Sequence, residues 1–74
     1  MENYINEGKK YKVDEVKMAG MIIVVNGKTI KDYSTMEYIT GDRSFRGLGY
    51  SVLSGNNEFV FDSFQDAYDF AFNN

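Results

Sequence analysis

Three aspartates near the C-terminal end of the chain are the residues with the clearest potential for chemistry. Asp62, Asp66 and Asp69 are spaced four and three residues apart, so a helix would place them along one side. Carboxylate oxygens are the ligands that Mg²⁺ and Ca²⁺ prefer, but several of them must converge at about 2–2.5 Å. Three aspartates along a helix flank, without a ligand loop, do not converge. We interpret them as a solvated polar face and expect no metal site.

Other catalytic chemistry is poorly represented. The 74 residues include neither cysteine nor histidine, so disulfides and ordinary zinc sites are not expected. A pair of carboxylates that hydrolyses glycosides would need a cleft, and so short a chain has little room to build one. No P-loop, nucleophile elbow or GxGxxG pattern occurs. We therefore predict that the protein is not an enzyme and that it has neither catalytic residues nor a cofactor.

The net charge of −3 is unevenly distributed. Residues 58–74 carry four acidic residues and no basic one, whereas residues 1–17 carry four of each. General nucleic-acid binding depends on lysine and arginine that neutralise phosphates, and this balance disfavours it. A short basic cluster exists near the N-terminus, but nearby acids dilute its field, and we interpret it as a solvated, partly mobile segment. The cluster consists of Lys9, Lys10 and Lys12.

A first β-hairpin is predicted over residues 21–33, with the sequence MIIVVNGKTIKDY. Asn26-Gly27 between two apolar runs is typical of a two-residue type I′ turn, in which both residues need a positive φ. Such a turn pairs Ile23 with Ile30. Because side chains alternate along a strand, one face of the hairpin is then apolar and suits the core. This face consists of Met21, Ile23, Val25 and Ile30.

A second hairpin is predicted over residues 46–61. A two-residue loop at Gly55-Asn56 brings the apolar faces of its two strands together, whereas a three-residue loop would place the rings opposite Ser51 and Leu53. We expect both phenylalanines of the return strand to lie in the core. The predicted cross-strand pairs are Tyr50 with Phe61 and Val52 with Phe59.

An amphipathic helix is predicted over residues 64–72. Ser63 followed by Asp66 fits an N-cap with an acid three positions later, which satisfies free amides at the start of a helix. Apolar residues recur at helical spacing, and Phe70 is left on the flank of their stripe. The predicted core stripe consists of Phe64, Ala67, Tyr68, Ala71 and Phe72.

The segment RGLGYSVL, residues 46–53, resembles the octapeptide K/R-G-F/Y-G/A-F-V-x-F/Y of the RNA recognition motif. The basic residue, both glycines and the aromatic residue match, whereas leucine replaces a ring at two positions. The spacing differs as well. Residues 22–26 weakly match the family's second motif, and only about nineteen residues separate them from this segment. The resemblance implies binding of RNA or single-stranded nucleic acid through exposed rings beside basic groups. The residues concerned are Arg43, Arg46 and Tyr50.

The same segment also fits a twisted strand. Gly47 and Gly49 would then permit a bulge or the close approach of another backbone. Elsewhere the pattern is ambiguous, since residues 1–20 and 34–44 fit both strand and helix. We expect one α+β domain over residues 1–74, in which an antiparallel sheet of about four strands carries the helix across one face.

The segment MENYINEGKK contains no apolar stretch of the kind found in a signal peptide, and the longest apolar run is too short to span a bilayer. A cytoplasmic protein is therefore expected. A chain of this length builds only a small core, and a homodimer is one way to enlarge it.

For function we expect a non-enzymatic protein-binding module. Its acidic face would occupy a basic nucleic-acid-binding surface of a larger protein, such as a host nuclease. Small phage or mobile-element inhibitors, including anti-CRISPR and anti-restriction proteins, are similar in size and chemical character. The alternative is a small RNA- or single-stranded nucleic-acid-binding domain that uses the strand from Arg46 to Tyr50. The predicted partner-binding residues are Asp62, Asp66, Asp69 and Phe70.

Overall fold

The structure is a computed structural model that describes residues 1–34 and 49–73. These residues form two antiparallel sheets and one helix that packs on the larger sheet, so the predicted α+β class is confirmed. The elements are β1 (Glu2–Asn6), β2 (Lys9–Val13), β3 (Glu15–Lys17), β4 (Ile22–Val25), β5 (Lys28–Asp32), β6 (Tyr50–Ser54), β7 (Asn57–Phe61) and α1 (Phe64–Asn73).

The larger sheet has the strand order β3-β4-β5-β6-β7, and the smaller one pairs β1 with β2. Every pairing is antiparallel and joins strands that are consecutive among those described. The two predicted hairpins correspond to β4–β5 and β6–β7. The strand number exceeds the predicted four because residues 1–17 add three more strands. Residues 35–44, for which the sequence pattern is ambiguous, lie outside the described residues. Residues 46–48, at the start of the second predicted hairpin, lie outside them as well.

Both hairpins have the predicted register. Asn26 and Gly27 have φ values of 51° and 77°, as a type I′ turn requires, and Ile23 pairs with Ile30. The second loop has two residues and begins at Gly55, whose φ is 64°. The resulting pairs are Tyr50 with Phe61 and Val52 with Phe59.

Residues 1–13 form a hairpin that the sequence did not predict. Its two-residue turn is Glu7-Gly8. Both residues have a positive φ, of 51° and 78°, as in the turn Asn26-Gly27. The lysine cluster belongs to β2 rather than to a mobile segment, because Tyr11 and Val13 of this strand are buried and fix it to the core. Tyr4 of β1 packs against the same core.

The core lies between the larger sheet on one side and both α1 and the β1–β2 hairpin on the other. The chain bends at Asp14, whose N–H donates to the Val24 carbonyl at 2.8 Å, and β3 then pairs with β4. Three strands of the larger sheet contribute core residues from the face that α1 covers. The core consists of Tyr11, Val13, Ile23, Val25, Ile30, Tyr50, Val52, Phe64, Ala67 and Ala71.

Three aromatic predictions need correction. Phe72 was placed in the core stripe, but its side chain is 58% exposed. Phe59 was also placed in the core, and it is 40% exposed because it lies on β7, the outermost described strand on that side of the sheet. Phe70, which the stripe left over, packs against the core instead. The helix is therefore oriented so that the flank facing β7 is more deeply buried than the flank facing β2.

Gly49 confirms the predicted close approach of backbone before β6. Its φ is 73°, and a Cβ atom at this position would lie 2.4 Å from the Phe61 carbonyl oxygen. The Gly49 carbonyl in turn accepts a hydrogen bond from the Tyr33 N–H at 2.8 Å. Only glycine fits here, because the conformation and the space both exclude a side chain.

Candidate functional site

The helix α1 has one buried side and two flanks that face different strands. Its start is fixed as predicted, because the Ser63 hydroxyl accepts a hydrogen bond from the Asp66 N–H at 3.2 Å. Phe64, Ala67 and Ala71 form the buried side. Residues four apart on a helix share a side, so Asp66 and Phe70 point to one flank. The opposite flank carries Gln65, Tyr68, Asp69 and Phe72.

The flank beside β7 carries a cluster of three rings. The ring of Phe70 lies 4.8 Å from that of Phe59 and 5.3 Å from that of Phe61, centroid to centroid. Phe59 is the most exposed of the three. Asp62 follows Phe61 in the chain and Asp66 lies one helical turn before Phe70, and both aspartates are exposed. We call the surface formed by Phe59, Phe61, Phe70, Asp62 and Asp66 the β7 face. It combines an apolar centre with negative charge.

The predicted contact residues do not all meet on this face. The Asp69 carboxylate accepts a hydrogen bond from the Gln65 side-chain amide at 2.9 Å and therefore belongs to the other flank. Phe70 lies on the β7 face, where its ring contacts those of Phe59 and Phe61. Phe59, rather than Phe70, is the ring that is exposed to solvent. Sequence reasoning missed Phe59 because its alternation along β7 indicates the core side of the sheet without showing where the helix cover ends.

The flank beside β2 is held by hydrogen bonds between side chains and the strand. The Tyr11 hydroxyl donates to the Gln65 side-chain oxygen at 3.0 Å, and the Lys9 ammonium donates to the same oxygen. The Tyr68 hydroxyl donates to the main-chain carbonyl of Lys12 at 2.9 Å. The ring of Tyr68 stacks on Phe72, with centroids 5.7 Å apart and planes 18° from parallel.

A groove of about 450 Å³ runs between β2 and this flank. Its walls bring the lysine cluster beside two stacked rings, a combination that the sequence does not reveal because 56 residues separate Lys12 from Tyr68. We call it the β2 groove. Its principal lining residues are Lys9, Lys10, Lys12, Gln65, Tyr68 and Phe72.

The electrostatic environment of the groove is mixed. Burial raises the pKa of the Tyr11 hydroxyl, and the carboxylates of Asp69 and Glu7 raise it further. Burial also raises the pKa of the Tyr4 hydroxyl. Both tyrosines therefore remain neutral hydrogen-bonding groups at neutral pH and do not supply charge.

Of the predicted alternative site, only Tyr50 lies among the described residues. Arg43 and Arg46 lie outside the described residues. Tyr50 is 9% exposed, its ring lies 5.6 Å from that of Phe64, and its hydroxyl accepts a hydrogen bond from the Asn6 side-chain amide at 3.0 Å. Its ring is thus part of the core and does not offer a face to a base.

A second, smaller pocket of about 220 Å³ lies on the other side of the molecule. It is bordered by the turn Met18–Gly20, in which all three residues have a positive φ. Three successive left-handed residues are strained for side chains other than glycine. Met18, Met21, Ile22 and Tyr33 make this pocket apolar, with Lys31 and Asp32 at its border.

Within residues 1–34 and 49–73, no group of three or more acidic side chains is arranged to hold a metal ion. No helix in this part of the chain is long and apolar enough to cross a membrane. Comparison with protein-family models, curated proteins and solved structures finds no match for the chain. Function must therefore be argued from the two flanks of the helix.

Proposed function

We propose that this chain is a non-enzymatic protein-binding module whose β7 face docks on a basic surface of a larger protein, of the kind that binds nucleic acid. The observation that carries the proposal is the ring of Phe59, which is 40% exposed and contacts the ring of Phe70, which in turn contacts that of Phe61. Aromatic residues at the centre of a contact surface, surrounded by polar groups, supply most of the binding energy in many interfaces.

The ring of Phe59 is held in place before any partner arrives. Its cross-strand neighbour is Val52, which is fully buried, and its ring contacts that of Phe70 at 4.8 Å. A side chain that is already ordered loses little conformational freedom on binding, so more of the contact energy appears as affinity. This is the structural advantage of Phe59 over a ring on a free loop.

Charge indicates the kind of partner. Residues 58–73 include four acidic residues and no basic one, and the two that belong to the β7 face, Asp62 and Asp66, are exposed. Such a field accelerates encounter with a positive surface and opposes approach to a negative one. Nucleic-acid-binding surfaces are strongly positive because their lysines and arginines neutralise phosphates. A partner covered in this way would lose access to its nucleic acid, so we expect inhibition as the consequence of docking.

The test is affinity capture from nuclease-treated lysate of the native host, with matched baits. The baits are the parent chain, Phe59→Ala, Asp62→Lys and, as a control ring on the opposite flank, Phe72→Ala. We expect the parent and Phe72→Ala to retain a basic protein. Phe59→Ala and Asp62→Lys should retain at least tenfold less of it. Nuclease treatment removes proteins that are bridged only by nucleic acid.

Binding of the captured protein is then measured with purified components. Thermal denaturation of each bait shows whether a loss of binding merely follows a loss of folding. The proposal fails if no protein is retained, or if the retained protein binds Phe59→Ala and Asp62→Lys as tightly as the parent.

A further inference from the structure

We infer that the β2 groove is a second binding site, for single-stranded nucleic acid, in which a base stacks on Phe72 and Lys10 and Lys12 hold the neighbouring phosphates. The site lies on the opposite flank of α1 from the β7 face and shares no residue with it. The inference therefore does not depend on the proposed protein-binding function.

Phe72 and Tyr68 form a platform of two rings at the groove. Phe72 is 58% exposed although it is a large apolar side chain, and one of its faces stacks on Tyr68. Tyr68 is fixed in turn by its hydrogen bond to the Lys12 carbonyl and by ring contact with Tyr11 at 4.9 Å. A base on the open face of Phe72 would extend this stack. Stacking of this type contributes about 1–3 kcal/mol per base and tolerates any base.

The lysines of β2 supply the positive charge of the groove. Lys10 and Lys12 are exposed, and no salt bridge joins either of them to an acid in the part of the chain that the structure describes. Lys9 has a different role, because it donates to Gln65 and lies 5.3 Å from the centre of the Tyr11 ring. Lys9 thus forms the wall of the groove, and the other two lysines remain available for phosphates.

The charge balance predicts modest, salt-sensitive binding. Asp69, which is bonded to Gln65, and Glu7 at the turn before β2 are the carboxylates whose effect reaches Tyr11 in the groove wall. Three lysines against two carboxylates leave a small positive excess. A free phosphate would gain little from it, whereas a ligand that also stacks a base would gain from both parts of the site. The groove, at about 450 Å³, has the size of a small-ligand site.

The experiment uses the full chain and a fluorescein-labelled twelve-nucleotide oligo(U), with the matching oligo(dT) as a second probe, in fluorescence anisotropy. We expect binding at low salt and a loss of about 5- to 150-fold for Phe72→Ala, the range that corresponds to one lost stacking contact. Phe72→Tyr should bind like the parent. Lys10→Gln and Lys12→Gln should each lower the slope of log affinity against log salt by about 0.7.

Two control variants lie outside the groove. Phe59→Ala removes a ring from the opposite flank, and Lys17→Gln removes a positive charge from β3; both should bind within twofold of the parent. Inorganic polyphosphate serves as a competitor that offers charge without bases. The inference is overturned if neither oligonucleotide binds, if Phe72→Ala binds like the parent, or if polyphosphate binds as tightly as oligo(U).

Discussion

The side-chain amide of Asn26 donates a hydrogen bond to the main-chain carbonyl of Ala71 at 3.3 Å, across 45 residues of sequence. The same nitrogen lies 3.2 Å from the carbonyl of Phe72. These carbonyls belong to the last turn of α1, where no amide within the helix is left to bind them. The turn of the β4–β5 hairpin therefore caps the C-terminal end of the helix and holds it on the sheet.

We predict that Asn26→Ala lowers the free energy of unfolding by about 2 kcal/mol. The substitution removes the cap, and each lost hydrogen bond costs about 0.5–1.5 kcal/mol of stability. It also forces alanine into a left-handed conformation. Asn26→Gly is the matched control, because glycine keeps the φ of 51° and removes only the cap. Urea denaturation should rank the parent above Asn26→Gly and Asn26→Gly above Asn26→Ala. Equal stability of the two variants would mean that the turn conformation contributes nothing.

We predict that Gly49→Ala unfolds the protein or lowers its stability by more than about 2 kcal/mol. A Cβ atom would lie 2.4 Å from the Phe61 carbonyl oxygen, and the φ of 73° is unfavourable for alanine. Gly55→Ala is the control, because Gly55 also has a positive φ of 64° but no atom within 4 Å of the added Cβ. It should cost about 1 kcal/mol. Similar denaturation midpoints for the two variants would rule out the clash at Gly49.

The buried side of the helix is tested by Ala67→Asp. Ala67 is 0% exposed, so the variant places an unpaired carboxylate in the core and should not fold at neutral pH. Phe72→Asp puts the same charge on the same helix at an exposed position and should remain folded. Circular dichroism and thermal denaturation distinguish the two. A cooperative transition of Ala67→Asp within a degree or two of the parent would contradict the observed helix orientation.

Much of this fold could be predicted from the sequence because its strongest signals are local. Asn26-Gly27 determines the register of β4 and β5, and Ser63 determines where α1 begins. These features depend on residues a few positions apart. The turn Glu7-Gly8 was missed because glutamate is not a typical residue for positive φ, although the glycine after it makes the turn feasible.

The candidate site was harder to predict because it depends on which flank of the helix each strand covers. Helical spacing assigns Phe72 to the apolar stripe and Phe70 to its flank, but it does not show which flank of the helix the rest of the domain covers. The outcome depends on β7, whose rings meet Phe70, and on β2, which leaves Phe72 in contact with Tyr68 and solvent. Such contacts between distant segments leave no periodic signal in the sequence.

We predict that stability decreases at alkaline pH. The pKa of Tyr11 in the folded protein is raised above its ordinary value of 10.0, chiefly by burial. Above pH 10 the unfolded chain therefore loses this proton before the folded one does. The free energy of unfolding should decrease by up to about 1.4 kcal/mol per pH unit for each such tyrosine, until the pH reaches the folded pKa. Tyr11→Phe should show a smaller decrease in urea denaturation between pH 9 and 11, and an equal decrease would exclude Tyr11 as a cause.

Charge reversal on the two flanks should separate the two proposed binding activities. Asp69 is bonded to Gln65 in the wall of the β2 groove, so Asp69→Lys should increase the affinity for oligo(U) and leave docking of the β7 face nearly unchanged. Asp62→Lys should leave the affinity for oligo(U) nearly unchanged and weaken binding of the protein partner at least tenfold, since a close charge pair couples by about 1.5 kcal/mol or more.

Raising the salt concentration should reduce the parent's association rate with that partner more than the rate of Asp62→Lys, because screening removes an attraction that the variant already lacks. If Asp69→Lys weakens protein binding as much as Asp62→Lys does, the acidic residues act as one surface and the division between the flanks is wrong.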